Sequence, residues 1–255
     1  MPSPMLGTVH GERTRTAALD LLATGLSLAE VSRRTGVARS TLRSWAVTPT
    51  PVTLTGCSRC GGPSLDEPAY AALLGYYLGD GCLSRAARCW TLRVSCDATL
   101  PAVLADVTEV VRRVNRRRPA HHVRAPGVVV VASHWQHWPC LLPQHGPGRK
   151  HERPIVLEPW QRELVERHPG AFLRGLLHSD GARVRNWATR VVAGERRRYD
   201  YPRWQFVNAS PDIRGLCCWA LDLVGVAWRG SGPRTISVSR REAVARLDAL
   251  VGTKA

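Results

Sequence analysis

The sequence predicts an α+β protein in which a small all-α unit precedes a larger unit built twice over. Three observations carry this. The stretch "GYYLGDG" (Gly75–Gly81) returns a hundred residues later as "GLLHSDG" (Gly175–Gly181). Each copy ends a helical pattern and is followed, in the same order, by short strand-like runs, a helix opening on proline, further strands and a short closing helix. Ahead of both copies, Thr14–Val47 has a helical period of its own, and "TPTPVTLTG", with Pro49 and Pro51, interrupts it.

The first unit spans 1–48. Ala17, Leu21 and Leu22 are expected on one helical face, with Leu28 and Val31 on another. Gly25 ends the first helix, Ser27 caps the second, and Gly36 breaks the second before "ARSTLRSWA" forms a third. Residues 49–65 read as a stiff linker. The repeated unit is expected over 66–255, with repeat one at 66–143, a connecting segment at 144–168 and repeat two at 169–255. Within it, strands are expected at Trp90–Cys96, Val128–Ser133, Tyr201–Asn208 and Arg234–Ser239. Helices are expected from Pro101 and from Pro211, near Trp135–Leu142, near Arg241–Val251 and, between the repeats, over Glu158–Arg167.

Charge narrows the function. The chain has 255 residues, 36 Lys+Arg against 20 Asp+Glu, and a net charge of +16. Such a surface concentrates polyanions, which points to nucleic acid. Lysine occurs only at Lys150 and Lys254; the remaining cations are arginines, which fork onto phosphates and guanine edges. No apolar run reaches the ~18 residues of a membrane span. The N-terminus lacks the apolar core of a secretory signal. The eight irregularly spaced cysteines suit reduced thiols. A cytoplasmic, nucleoid-associated setting is the expectation.

The repeated motif carries the chemistry. Gly75/Gly79 and Gly175/Ser179 place small residues four apart, forming a groove that lets two helices approach closely. Each helical glycine costs about 1 kcal/mol against alanine, so matched glycines imply that the two helices pack on each other, parallel, with their C-terminal ends together. Asp80 and Asp180 stand at those ends, before Gly81 and Gly181, which suit a left-handed turn. A carboxylate at the negative end of a helix is unfavourable, and two together repel. A hard divalent cation with oxygen ligands resolves both problems.

"LLGYYLGDG" (Leu73–Gly81) and "FLRGLLHSDG" (Phe172–Gly181) resemble the two motifs of LAGLIDADG homing endonucleases in their two-repeat, single-chain form. "RKHERPIVLEPW" (Arg149–Trp160) resembles the basic stretch that often precedes the second motif. The resemblance covers about three quarters of the chain. It implies two pseudo-symmetric αββαββα repeats whose sheets lie over double-stranded DNA, a monomer with internal pseudo-two-fold symmetry, and magnesium-dependent phosphodiester hydrolysis. By motif match, Asp80 and Asp180 bind the metal, with the carbonyls of Gly79 and Ser179 as further ligands. The family's usual lysine or glutamine beside the metals matches Lys150 and Gln205. The first repeat offers only Arg93 near the comparable strand position, and an arginine cannot act as a base. The rival reading is a transcriptional regulator that uses this fold without cutting, as in a sporulation-regulator family combining it with a helix-turn-helix; RNA processing is a third class.

"LSLAEVSRRTGVARSTLRSW" (Leu26–Trp45) resembles a helix-turn-helix. Arg39, Ser40, Thr41, Arg43 and Ser44 are its expected DNA contacts, while Leu42 and Trp45 face the core. Arg85, Arg93, Arg183, Arg185 and Asn186 are the expected contacts from the strands after each motif. "CSRC" (Cys57–Cys60) has the spacing of half a zinc site, but no second half is evident, so free thiols in a turn are expected. In "HWQHWP", His134 and His137 are expected on a helix with an aromatic packing role. "RRVNRRRP" (Arg112–Pro119) is expected to be a solvated, phosphate-facing helix end.

Overall fold

The computed structural model describes residues 12–47, 56–87, 89–252 and 254. They form two compact units, divided between Thr55 and Gly56. The prolines Pro49 and Pro51 lie outside the described residues.

The first unit holds α1 (Glu12–Ala23), α2 (Leu28–Thr35) and α3 (Arg39–Val47). Ser27 caps α2, its hydroxyl accepting from the Glu30 N–H, and Gly36 ends it in the left-handed region at φ 70°. Ala18, Val31, Val37 and Leu42 are fully buried, with Leu21, Leu22, Leu28 and Trp45 packed around them. The buried alanine is Ala18; Ala17 is exposed, one position away from the face the periodicity suggests.

The second unit contains α4 (Glu67–Asp80), β1 (Gly81–Arg85), β2 (Trp90–Asp97), α5 (Pro101–Val114), β3 (His121–Ala125), β4 (Val128–Trp135) and α6 (Trp138–Leu141). After α7 (Pro159–Arg167), the same order returns as α8 (Pro169–Asp180), β5 (Gly181–Val192), β6 (Glu195–Val207), α9 (Pro211–Leu223), β7 (Arg229–Gly232), β8 (Thr235–Val238) and α10 (Arg241–Val251). This is αββαββα twice, and the sheet orders β1-β2-β4-β3 and β5-β6-β8-β7 match. The unit begins at Gly56, with Cys57 already in its core, whereas composition places a linker to residue 65. No helix among the described residues is long and apolar enough to cross a membrane.

The helices α4 and α8 form the centre. From Ala69 to Leu78 every residue of α4 is buried, as expected of a helix that is apolar all round. The glycines explain the closeness. A Cβ on Gly75 would lie 2.4 Å from the Phe172 carbonyl oxygen, and one on Gly175 would lie 2.1 Å from that of Ala72. Further along, a Cβ on Gly79 would lie 2.3 Å from the Ser179 Cβ. The helices therefore run parallel and in register, 75 beside 175 and 79 beside 179. Tyr76 crosses the contact, its hydroxyl donating to Asp106 and meeting His178 Nδ1 at 3.0 Å. A buried amide network, in which Gln161 of α7 donates to the Tyr70 hydroxyl and Gln144 donates to Gln161, fastens the connecting segment to repeat one.

Gly81 and Gly181 do not adopt the left-handed turn expected of them. Their φ,ψ values are −92°,153° and −97°,155°, so each helix passes directly into an extended strand. Glycine is required there for space, because a Cβ would lie 2.5 Å from Tyr77 Cα at Gly81 and 2.5 Å from the Leu177 carbonyl oxygen at Gly181.

Candidate nucleic-acid and catalytic site

The parallel contact brings the ends of α4 and α8 together, and with them Asp80 and Asp180. Asp180 accepts from the Asn208 amide at 2.6 Å. Burial, and then the neighbouring Asp80 charge, raise its pKa to about 6, against the opposing pull of Asn208, Lys150 and Lys254. Asp80 is the more accessible of the two. Its pKa is also raised, chiefly by desolvation, with Lys150 and Lys254 opposing.

Two lysines complete the arrangement. Lys150, in the segment before α7, donates to the carbonyls of Tyr77, Gly79 and Gly81 at 2.6, 2.7 and 2.9 Å. Lys254 donates to those of Ser179 and Gly181 at 2.9 and 2.6 Å. Each ammonium thus sits at the negative end of one central helix, where a cation is favoured. Desolvation brings the Lys150 pKa down to about 8, despite both aspartates, and lowers that of Lys254 as well. An open cleft of about 500 Å³ is lined by Lys150, Asp180 and Asn208, with Arg149, Arg153 and His151 at its side. A smaller one of about 160 Å³ is lined by Asp80, Ser179, His178 and Lys254. Each cleft pairs one lysine with one motif aspartate.

Lys254 and Asn208 were not found by sequence reasoning. Lys254 stands outside any motif, yet its signal was its rarity: both lysines of the chain are at this site. Gln205, expected beside the metal, lines neither cleft. It lies one residue before Phe206, which pairs with Gly181, so it faces away from the helices. Its register equivalent is Arg93: Gln205 opposes Ala182 as Arg93 opposes Cys82. The carbonyls of Gly79 and Ser179, which the resemblance implies as metal ligands, each accept from a lysine.

Strand alternation sorts the expected contact residues. Buried Leu92, Val94, Trp204 and Phe206 face the helices, so Arg93, Gln205 and Asn186 belong to the opposite face, together with Arg203, Tyr201, Arg190, Arg197 and Arg229. Arg183 has the helix-facing parity and forms a two-pronged pair with Asp248 of α10 at 2.8 Å. Arg85 stacks on Trp90, and Arg185 stands 3.6 Å from Asp200. The hairpin β5–β6 turns at Ala193 and Gly194, both with positive φ, and runs well beyond β8, which pairs only with Trp204–Val207. It forms an arginine-rich ribbon bearing exposed Trp187 and Tyr199. Its length was hidden in the sequence, because runs such as "ERRRYDY" (Glu195–Tyr201) have no apolar alternation.

In the first unit, Arg39, Ser40, Arg43 and Ser44 are exposed on α3 and Thr41 is half-buried. Arg33 and Arg34 both pair with Glu30, whereas Arg39 and Arg43 make no ion pair among the described residues.

One expectation from the histidines changes. His134 is on β4, not a helix; it bonds Thr91 and stacks on His121. His137 and Cys140 come to Cys57 and Cys60, one ligand atom of each lying within 4.8 Å of the others, and the three cysteines are free thiols. At the end of α5, Arg112 pairs with Glu109 and Arg113 with Asp66.

No protein-family model matches the chain, and no curated protein matches it. Solved structures do align with it. The N-terminal LAGLIDADG domain of DUF199/WhiA is 13% identical, with 80% of this chain and 87% of that one covered and a TM-score of 0.47. The LAGLIDADG meganuclease I-AabMI bound to uncleaved DNA is 10% identical over 71% and 82% of the two chains, with a TM-score of 0.45. I-DmoI in complex with DNA and Ca is 11% identical over 73% and 91%, also with a TM-score of 0.45. The chain is similar both to LAGLIDADG endonucleases and to the LAGLIDADG domain of WhiA.

Proposed function

We propose that this chain binds a long site on double-stranded DNA through the outer faces of its two sheets and the α3 helix, and that it hydrolyses a phosphodiester of each strand at the junction of α4 and α8, with magnesium. The observation that carries this reading is the pairing of Asp80 and Asp180 at adjoining helix ends, each beside a lysine. A face carrying Arg93, Arg203, Arg190, Arg197 and Arg229 suits phosphates and guanine edges. The long β5–β6 ribbon has the width to enter a major groove.

Asp80 and Asp180 would hold the metal, and their hard oxygen donors, strained by mutual repulsion and burial, fit magnesium. When bound, the ion supplies charge stabilisation and a more acidic water. Asn208 fixes the orientation of Asp180. Lys150, its ammonium held by three helix-end carbonyls, would act as a fixed positive charge that offsets charge growing on a phosphate. Arg149 and Arg153 line the same cleft and would position the backbone.

A specific observation favours the second reading, a regulator that binds without cutting. The ammonium groups of Lys150 and Lys254 hold the carbonyls that the motif match assigns to the metal, and their charge offsets part of the carboxylate repulsion without any ion. Incubation with randomised DNA in magnesium, scored for both selection and cutting, separates the two.

A further inference from the structure

We propose that Cys57, Cys60, His137 and Cys140 form a structural zinc site that ties the start of the second unit to the end of repeat one. One ligand atom from each lies within 4.8 Å of all the others. The residues arrive as two short pairs, Cys-x-x-Cys and His-x-x-Cys, from segments about eighty residues apart. Cys60 Sγ is 3.7 Å from Cys140 Sγ. A tetrahedral ion with zinc–sulfur bonds near 2.3 Å has sulfur–sulfur edges of about 3.8 Å. A disulfide needs about 2.05 Å, and closing one between Cys60 and Cys140 would leave Cys57 and His137 without a role. Cys140 Sγ is 3.9 Å from His137 Nδ1, so that nitrogen faces the cluster. The other nitrogen, Nε2, lies 3.4 Å from the Gln136 amide, whose oxygen, with the amide turned over, can accept the proton that Nε2 carries when Nδ1 binds the metal.

The backbone is shaped for the purpose. The Cys60 and Gly62 N–H groups both donate to the Cys57 carbonyl, at 2.8 and 2.9 Å. Gly61 takes φ 72°, and a Cβ on Gly62 would lie 2.1 Å from the Gly56 carbonyl oxygen. "GCSRCGG" (Gly56–Gly62) is therefore a loop closed on itself, which only glycine at Gly61 and Gly62 permits and which aims both sulfurs the same way. On the other side, His137 precedes α6, and Cys140 sits within that helix's single turn. Three thiolates and one imidazole form a recognised structural set for zinc. With all four positions taken by protein, none is open to a substrate, so the ion's work is to hold the fold. It would anchor the chain one residue inside the second unit, and Arg59, within the same loop, stacks over Trp160 of α7 at 4.9 Å. The site does not depend on whether the chain cuts DNA.

The test is metal content of the full chain, purified reduced from zinc-sufficient cells and measured by elemental mass spectrometry. About one zinc per chain is expected, because such sites bind tightly. Cys60→Ser and His137→Ala should lose it, His137→Cys should keep it, and Asp80→Asn should leave it unchanged. Cobalt added to the metal-stripped wild type should give the visible bands of a tetrahedral thiolate site, a readout that needs no variant to fold. A zinc-selective chelator in excess magnesium should lower the melting temperature. A zinc-free chain that gives no such bands, or one lighter by two hydrogens with Cys60 linked to Cys140, would overturn the proposal.

Discussion

Lys150 and Lys254 hold equivalent atoms in the two repeats: Lys150 takes the carbonyls of Gly79 and Gly81, and Lys254 takes those of Ser179 and Gly181, the matching positions of the second motif. They are the chain's only lysines among 36 cationic side chains. A compact ammonium fits between carbonyls that a planar guanidinium could not reach in the same way. An arginine at either position would put a planar guanidinium where the ammonium now lies between the carbonyls. Lys150→Arg and Lys254→Arg should therefore each lower cleavage at least tenfold while DNA affinity changes less than threefold, an outcome that gel-shift and cleavage assays on one substrate can check.

Carboxylate removal should separate affinity from chemistry. Asp80→Asn and Asp180→Asn each take negative charge away from the phosphate path, so binding should hold or tighten while cutting falls by at least a hundredfold. Equal losses of binding and cutting in a titration would place the aspartates in structure, not chemistry.

The raised pKa of Asp180, about 6 against an ordinary 3.8, sets a pH dependence. The folded chain holds this proton more tightly than the unfolded chain, so the associated stability is full below about 3.8 and is lost as pH rises through about 6. Magnesium should recover it. Thermal melts should show magnesium raising the melting temperature at about pH 7.5 and doing little at about pH 5, where the proton competes for the same oxygen. Magnesium stabilisation that ignores pH, or that persists in Asp180→Asn, would remove the ion from this carboxylate.

The glycines at the helix contact give a stability test with an internal control. Gly75→Ala and Gly175→Ala each push a methyl into backbone, and each should cost about 1–3 kcal/mol or more in urea unfolding. Gly215→Ala, in the middle of α9 with open space where its Cβ would be, should instead gain about 0.5–1 kcal/mol.

On the proposed function, the two compact units share the reading of DNA. Arg39→Ala or Arg43→Ala should cost about 1–3 kcal/mol at one edge of the site if that side chain pairs with guanine, and should flatten the salt dependence without changing preference if it meets phosphate. Removing residues 1–55 should shorten the footprint while the second unit stays folded, since its core is its own. An unchanged footprint would assign α3 to a protein partner.

Much of this was legible in the sequence for a definite reason. A close helix contact needs small residues at fixed spacing, so Gly75/Gly79 and Gly175/Ser179 announced it, with Asp80 and Asp180 at the helix ends. Strands with apolar alternation or a β-branched apolar run, such as Trp90–Asp97 and Val128–Trp135, were readable; β1, β3, β7 and the outer part of β5–β6 were not, because edge and protruding strands have no buried face to impose a pattern. The same limit hid which face Gln205 takes, since that depends on register. Gly81 and Gly181 were read through backbone freedom when the constraint was space. Asn208, Lys254 and the His137–Cys140 pair reach their partners only through tertiary contact, so no local spacing marks them.

The central claim, that the chain binds DNA and that its paired carboxylates make it a nuclease, is met most directly by selecting bound sequences from a randomised duplex library and then adding magnesium to the selected pool. The account predicts one long preferred site, cut in both strands at its centre by the wild type and left intact by Asp80→Asn and Asp180→Asn. A chain that selects such a site yet leaves it uncut across magnesium and manganese would contradict it and assign the protein to regulation.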